Sequence, residues 1–182
     1  KRVEATHYYL LIFNGRFSSW SSAKKVPAAF YLGGSSGGFG SAQIIDGVAL
    51  AVKVLNRYAQ DAIKYKTASF SAIAKSNKAN LKQKTLVFCP AYLNKKLDSK
   101  ERIQKYFSYP IDLVEDEEFP AVMNGTTPNQ AIISATYDLG IKAWYRCIYA
   151  TDTGEILYRR KTSAWSMLSR FDGEDLSKIA FS

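Results

Sequence analysis

The sequence predicts an α/β fold, a mixed sheet held between helical layers and ending in an antiparallel meander. Three observations carry that expectation. Residues 85–89 (TLVFC) are an uninterrupted apolar run, the pattern of a strand buried on both faces. A helical stretch and a second short apolar run follow, so 85–114 reads as strand–helix–strand, which normally makes a parallel pair. Residues 130–161 then alternate apolar and polar side chains in three segments, parted by Gly140 and by Asp152-Thr153-Gly154, as antiparallel strands do.

Taken in order, residues 7–13 (HYYLLIF) are a dense apolar run of strand length, ended by the turn pair Asn14-Gly15. Residues 28–32 suit a second strand, leading into the glycine-rich stretch 33–40. A long helix is expected over 42–65. Ile44, Val48, Ala51, Val52, Leu55, Tyr58, Ala59, Ala62 and Ile63 recur at three- and four-residue steps, and Asp46, Lys53, Asn56, Arg57, Gln60 and Lys64 fall largely opposite. That is an amphipathic helix packed on something larger. Residues 68–80 suggest a shorter, basic, exposed helix. After the strand at 85–89 and Pro90, Asp98 is placed to open a helix with Glu101 as its capping-box partner. Ile103, Tyr106 and Phe107 would form its apolar face, and a strand is expected over 111–114 beyond Pro110. Residues 115–123 read as a short helix or loop and 124–128 as a loop. In the first meander strand Ala131, Ile133, Ala135 and Tyr137 share a face. In the second, Ile141, Ala143, Tyr145, Cys147 and Tyr149 do. Gly154 supplies a tight turn, and Asp172 can cap a last short helix ending near Ile179.

A chain of 182 residues with 47% hydrophobic content can bury a core without disulfide or metal staples. No internal repeat or linker divides it, so residues 1–182 are expected to form one domain, with 1–40 as an extended or partner-contacting segment. Lys1-Arg2-Val3-Glu4 is not followed by the long apolar stretch of a signal peptide, which fits either a trimmed form or a chain without one. The longest uncharged runs, 26–45 and 119–137, are broken by glycine and proline, so neither reads as a spanning helix.

Charge is unevenly placed. Residues 1–105 hold 18 Lys/Arg against 5 Asp/Glu, whereas 106–182 hold 7 against 11. The basic half suits nucleic acid, an anionic membrane surface or an acidic partner, and equally a set of solvated helix faces. Its cations run Lys53, Arg57, Lys64, Lys66, Lys75, Lys78, Lys82, Lys84, Lys95, Lys96, Lys100, Arg102 and Lys105. They are mostly Lys with few interleaved aromatics, a thin basis for a stacking platform, although Trp144 falls beside Lys142 and Arg146 on one strand face.

Residues able to carry chemistry are few. His7 lies in an apolar run and reads as a satisfied core or edge histidine rather than a base. Cys89 and Cys147 read as buried thiols, with a disulfide left open, and with a single histidine they do not make a zinc set. The loop 33–40 sits where backbone amides could hold phosphate. It fits neither G-x-G-x-x-G nor a P-loop, so a flexible or partner-ordered loop is the better reading. Asp112, Glu115, Asp116, Glu117 and Glu118 could bind a hard cation through oxygen, but they lack the spacing and glycine turn of a calcium loop, and a solvated turn, or acids at a helix N-terminus where the dipole favours them, accounts for them. Asn124-Gly125-Thr126 matches a glycosylation sequon. No Gly-x-Ser-x-Gly elbow is present. The sequence therefore nominates no catalytic, cofactor-binding or metal residue.

One stretch resembles a known group. Residues 131–160, and within them Asp138-Leu-Gly-Ile-Lys and Ile148-Tyr-Ala-Thr-Asp152-Thr-Gly154-Glu-Ile-Leu-Tyr158-Arg, are similar to the end of the α/β domain in bacterial envelope lipoproteins of the curli-secretion type. The resemblance implies a three-layer α/β domain that builds assemblies, often as an oligomer, at the outer membrane or in the periplasm. The group's early sequence pattern has no counterpart in residues 1–40 and no N-terminal cysteine is present for lipidation, so no functional residue carries over. The expectation is a non-enzymatic subunit or assembly factor of a cell-envelope complex, periplasmic or outer-membrane-associated. Its partners would be the protein subunits of a larger assembly, with a homo-oligomer among the options. The alternatives are a basic nucleic-acid-binding protein, an enzyme whose site is gathered from distant residues, and a cytoplasmic home.

Overall fold

The computed structural model describes residues 7–12, 28–34, 41–90, 93–138, 141, 143–162, 177 and 179, with side chains described from Gly47 onward except at 135 and 137. Strands β1 (His7–Ile12) and β2 (Ala28–Gly34) pair antiparallel as a two-stranded sheet. Helices α1 (Ser41–Lys64) and α2 (Phe70–Asn77) follow, and a 3-10 turn at Lys78–Gln83 leads into β3 (Thr85–Phe88). Then come α3 (Lys100–Gln104), β4 (Ile111–Leu113), α4 (Phe119–Met123), β5 (Gln130–Asp138), β6 (Ala143–Ala150) and β7 (Ile156–Thr162).

The main sheet runs β4-β3-β5-β6-β7. Strand β3 is parallel to both β4 and β5, while β5, β6 and β7 are successively antiparallel. The expected α/β class, the mixed sheet and the C-terminal meander are therefore all present. Two apolar clusters lie on its two faces. One joins Leu50, Ala51, Val54, Leu55 and Tyr58 of α1, Ile73 of α2 and Val122 of α4 to Val87, Ile132, Tyr145, Cys147 and Tyr149 of the sheet. The other joins Leu81, Leu93, Leu97, Ile103 and Phe107 to Leu86, Phe88, Ala131, Ile148 and Leu157. A sheet buried on both faces is a three-layer arrangement, and each large side chain so buried contributes about 1.5–3 kcal/mol. Residues 177 and 179 are helical and Ile179 is buried in the second cluster; the expected cap at Asp172 lies outside the described residues.

Several local expectations are corrected. The cap of α3 is Ser99, not Asp98. Ser99 is extended and its hydroxyl accepts the Arg102 amide, while Asp98 closes the 3-10 turn at Lys95–Leu97 in a helical conformation. Glu101 therefore falls in the first helical turn rather than at the reciprocal position of a capping box. Ile103 and Phe107 are buried in one cluster, but Tyr106 is exposed. The 68–80 segment is helical but not simply exposed, since Ile73, Ala74 and Asn77 are buried. Strand β5 does not divide into an apolar and a polar face. It is central, so Ala131 and Ile132 enter opposite clusters. Ile141 precedes β6 and is exposed.

Candidate functional site

The connections that leave the carboxyl ends of the parallel strands β3 and β4 pass to opposite faces of the sheet, since α3 packs in one cluster and α4 in the other. In open α/β sheets such a reversal is where ligands tend to bind. The acidic run sits there, but its members disperse. Asp112 pairs with Lys100 at 2.6 Å, Asp116 accepts a hydrogen bond from the Cys89 thiol at 3.6 Å, and Glu115, Glu117 and Glu118 are exposed. Among the described residues no three His, Cys, Asp or Glu side chains are gathered as a metal would need.

The segment that carried the resemblance is a structural clamp. Gly154 has φ +71, and a Cβ there would lie 2.4 Å from the backbone carbonyl carbon and oxygen of Lys53, so only glycine lets the turn approach α1 so closely. Asp152 accepts from Lys84 Nζ at 3.1 Å and from the amides of Asn129 and Thr153, both at 2.9 Å. Burial opposes its charge, but those three donors outweigh burial and hold its carboxyl below the usual range. Glu155 pairs with Arg57 at 3.5 Å and accepts from Asn80 at 2.9 Å. Arg57 also holds the buried Asp61, which accepts from Asn77, which in turn accepts from the Tyr65 hydroxyl. Lys53 Nζ donates to the carbonyls of Asn124 and Thr151 at 2.7 and 3.2 Å. The polar groups around this turn are occupied in fastening α1, α2 and α4 to the meander.

Nor does a second buried polar group offer a nucleophile. Burial first of all pushes the Cys147 thiol up, away from the thiolate that reacts. Burial likewise raises Tyr149, whose hydroxyl shares a 3.1 Å hydrogen bond with Thr136. Beside them Arg159 pairs with Asp138 and lies 3.8 Å over the Tyr145 ring. Cys89 and Cys147 are both buried free thiols. His7 opens β1 opposite Gly34, and residues 35–40 of the glycine-rich loop lie outside the described residues, as do 1–6 and 13–27.

The basic stretch is partly consumed by the fold. Lys53, Arg57 and Lys84 serve the clamp, and Lys100 and Arg102 pair with Asp112 and Asp98. The remaining lysines divide between the two helical layers instead of lining one track. Arg146 is buried beside Trp144 and cannot present a stacking platform.

What sequence reading missed is the solvent face of α1. Buried positions 50, 51, 54, 55, 58 and 61 define its inner arc. Outside it lie Val48 (40% exposed), Val52 (54%) and Ile63 (80%), with Ala49, Asn56, Ala59 and Gln60 also exposed. Solvent faces of surface helices are normally charged; from Val48 to Ile63 this one presents no charge. Lys53 and Arg57 border it, but their charges are turned into the clamp. The signal was available in the sequence. Val48, Val52, Ala59 and Ile63 follow four-, seven- and four-residue steps on an arc that continues past Leu55 from the buried one of Leu50, Val54 and Tyr58.

No family model, curated protein or solved structure matches this chain.

Proposed function

We propose that the chain is a non-enzymatic subunit or assembly factor that works through protein contacts, of the kind found in bacterial cell-envelope complexes. The observation that carries this reading is the uncharged, partly apolar outer face of α1. An exposed apolar patch on an otherwise strongly charged surface marks an interaction site, and the helix that carries this one is fastened to the meander by the clamp. The polar clusters support the reading from the other side, since each is used to hold elements together rather than left to converge on a substrate. The placement in the envelope rests on the resemblance of residues 131–160. No helix among the described residues is long and apolar enough to cross a membrane. Fractionation of the native cells followed by gentle extraction and sizing tests the proposal. The expected result is recovery with the envelope in a species well above the 20.4 kDa of one chain. A strict monomer confined to the cytosol with no stable partner would refute it.

A further inference from the structure

Resting on that reading, we infer that the partner of the α1 face is α1 of a second copy of this chain, packed antiparallel about a two-fold axis beside Asn56. A closed dimer requires a self-complementary patch, and the positions on this face meet that requirement. An axis beside Asn56 sets Val48 opposite Ile63 of the second copy, and Val52 opposite Ala59. Asn56 meets itself on the axis, and a carboxamide carries both a donor and an acceptor for its own kind. Large thus meets large at the ends and medium meets small nearer the centre, over a helix length of about 22 Å by the ordinary rise.

Charge agrees with the same register. The chain carries a formal net charge of +9, so most of its surface repels a second copy. The α1 face is free of charge between Val48 and Ile63, and at each end the acidic position Asp46 falls opposite Lys64 of the second copy. In an antiparallel pair, flanks of the same side meet, and positions 46 and 64 share one side of α1. Lys53 and Arg57 lie on that flank too, but Lys53 is bound to the carbonyls of Asn124 and Thr151, and Arg57 to Asp61 and Glu155. A single helix pair buries less than the roughly 1,200 Å² of a standard interface, so the equilibrium between monomer and dimer should be visible on dilution.

Sedimentation velocity across a dilution series, on the full chain and its variants, is the test. The wild type is expected to shift reversibly from dimer to monomer. Val52→Lys, at a position already half exposed, should weaken the dimer at least roughly tenfold, because it buries an unpaired charge, with an unchanged circular dichroism spectrum. Ile63→Lys should do the same and carries the test if Val52→Lys fails to fold. Asp46→Lys should weaken the dimer and Asp46→Lys with Lys64→Asp should restore it. Under mild oxidation Asn56→Cys should trap a covalent dimer, and Ser76→Cys, at an exposed position of α2, should not. A dimer undiminished by both lysine variants, or equal trapping at 56 and 76, overturns the inference. A wild type that is monomeric throughout also overturns it. If that monomer is still recovered in a larger envelope complex, the assembly reading survives; if it is found in no complex, both fail.

Discussion

Replacing Gly154 by alanine tests whether the 152–157 segment is a structural clamp. Two costs add. The left-handed conformation at φ +71 costs an alanine about 1–2 kcal/mol. The new Cβ would stand 2.4 Å from the Lys53 carbonyl and 2.6 Å from the Val54 amide nitrogen, both backbone atoms of α1 that no rotamer change can move aside. Turn and helix must separate by about 1 Å to reach ordinary contact near 3.5 Å. That lengthens the Lys53 bond to Thr151, now 3.2 Å, and the Arg57–Glu155 pair, now 3.5 Å, each such charged contact being worth about 1.5–3 kcal/mol at most. A loss of about 3–5 kcal/mol is expected, large for a single substitution. In urea, with a slope of about 2 kcal/mol/M, the midpoint followed by tryptophan fluorescence should fall by roughly 1.5–2.5 M. Thr153→Ala, an exposed neighbour whose hydroxyl accepts one long bond from the Glu155 amide, should cost no more than about 1 kcal/mol. A Gly154→Ala protein within about 1 kcal/mol of wild type would refute the close-approach reasoning.

Three further outcomes follow. Asp152 has a folded-state pKa below its unfolded value, so its contribution is fully present above the unfolded pKa of about 3.9 and is lost as pH falls through the lower folded value; Asp152→Asn should lower stability at neutral pH and flatten the acid limb of the curve below about pH 4, and a limb parallel to wild type would contradict this. Phe107→Ala should cost about 3–5 kcal/mol because Phe107 is fully buried, whereas Tyr106→Ala beside it should stay within about 0.5 kcal/mol; similar losses at the two positions would contradict the corrected face. Neither Cys89 nor Cys147 should react with an aromatic disulfide reagent faster than the chain opens, since both are buried and burial keeps the Cys147 thiol protonated; rapid labelling of the native protein would contradict it.

How much of this was legible in the sequence depended on how local each signal was. The run at Thr85–Phe88, the turn at Gly154 and the alternation in β6 are local patterns, and they specified the strand–helix–strand unit and the meander. The α3 cap slipped by one residue because Asp98 and Ser99 both suit the role, and the preceding 3-10 turn decides between them. The burial of Ala131 and Ile132 on opposite faces of β5 comes from its central place in the sheet, a property of strand order that alternation does not encode. The site was less legible than the fold. Lys53, Asp61, Asn77 and Asn80 lie far from Asp152 and Glu155 in sequence, so their partnership exists only once α1, α2 and the meander are packed. For α1 the expected stripe left out Leu50 and Val54, which are buried, and included Val48, Val52 and Ile63, which are exposed. Helical spacing makes an apolar stripe visible without saying which of two stripes the core takes.

The central claim is that the outer face of α1 is a contact surface in the cell. A photo-crosslinking phenylalanine derivative placed at position 52 or 63, and as controls at the exposed positions 76 and 141, tests it directly in the organism that makes the protein. Discrete crosslinked species at 52 and 63, with none at 76 or 141, are the predicted result. Crosslinks at 141 or 76 with none at 52 and 63 would contradict the claim.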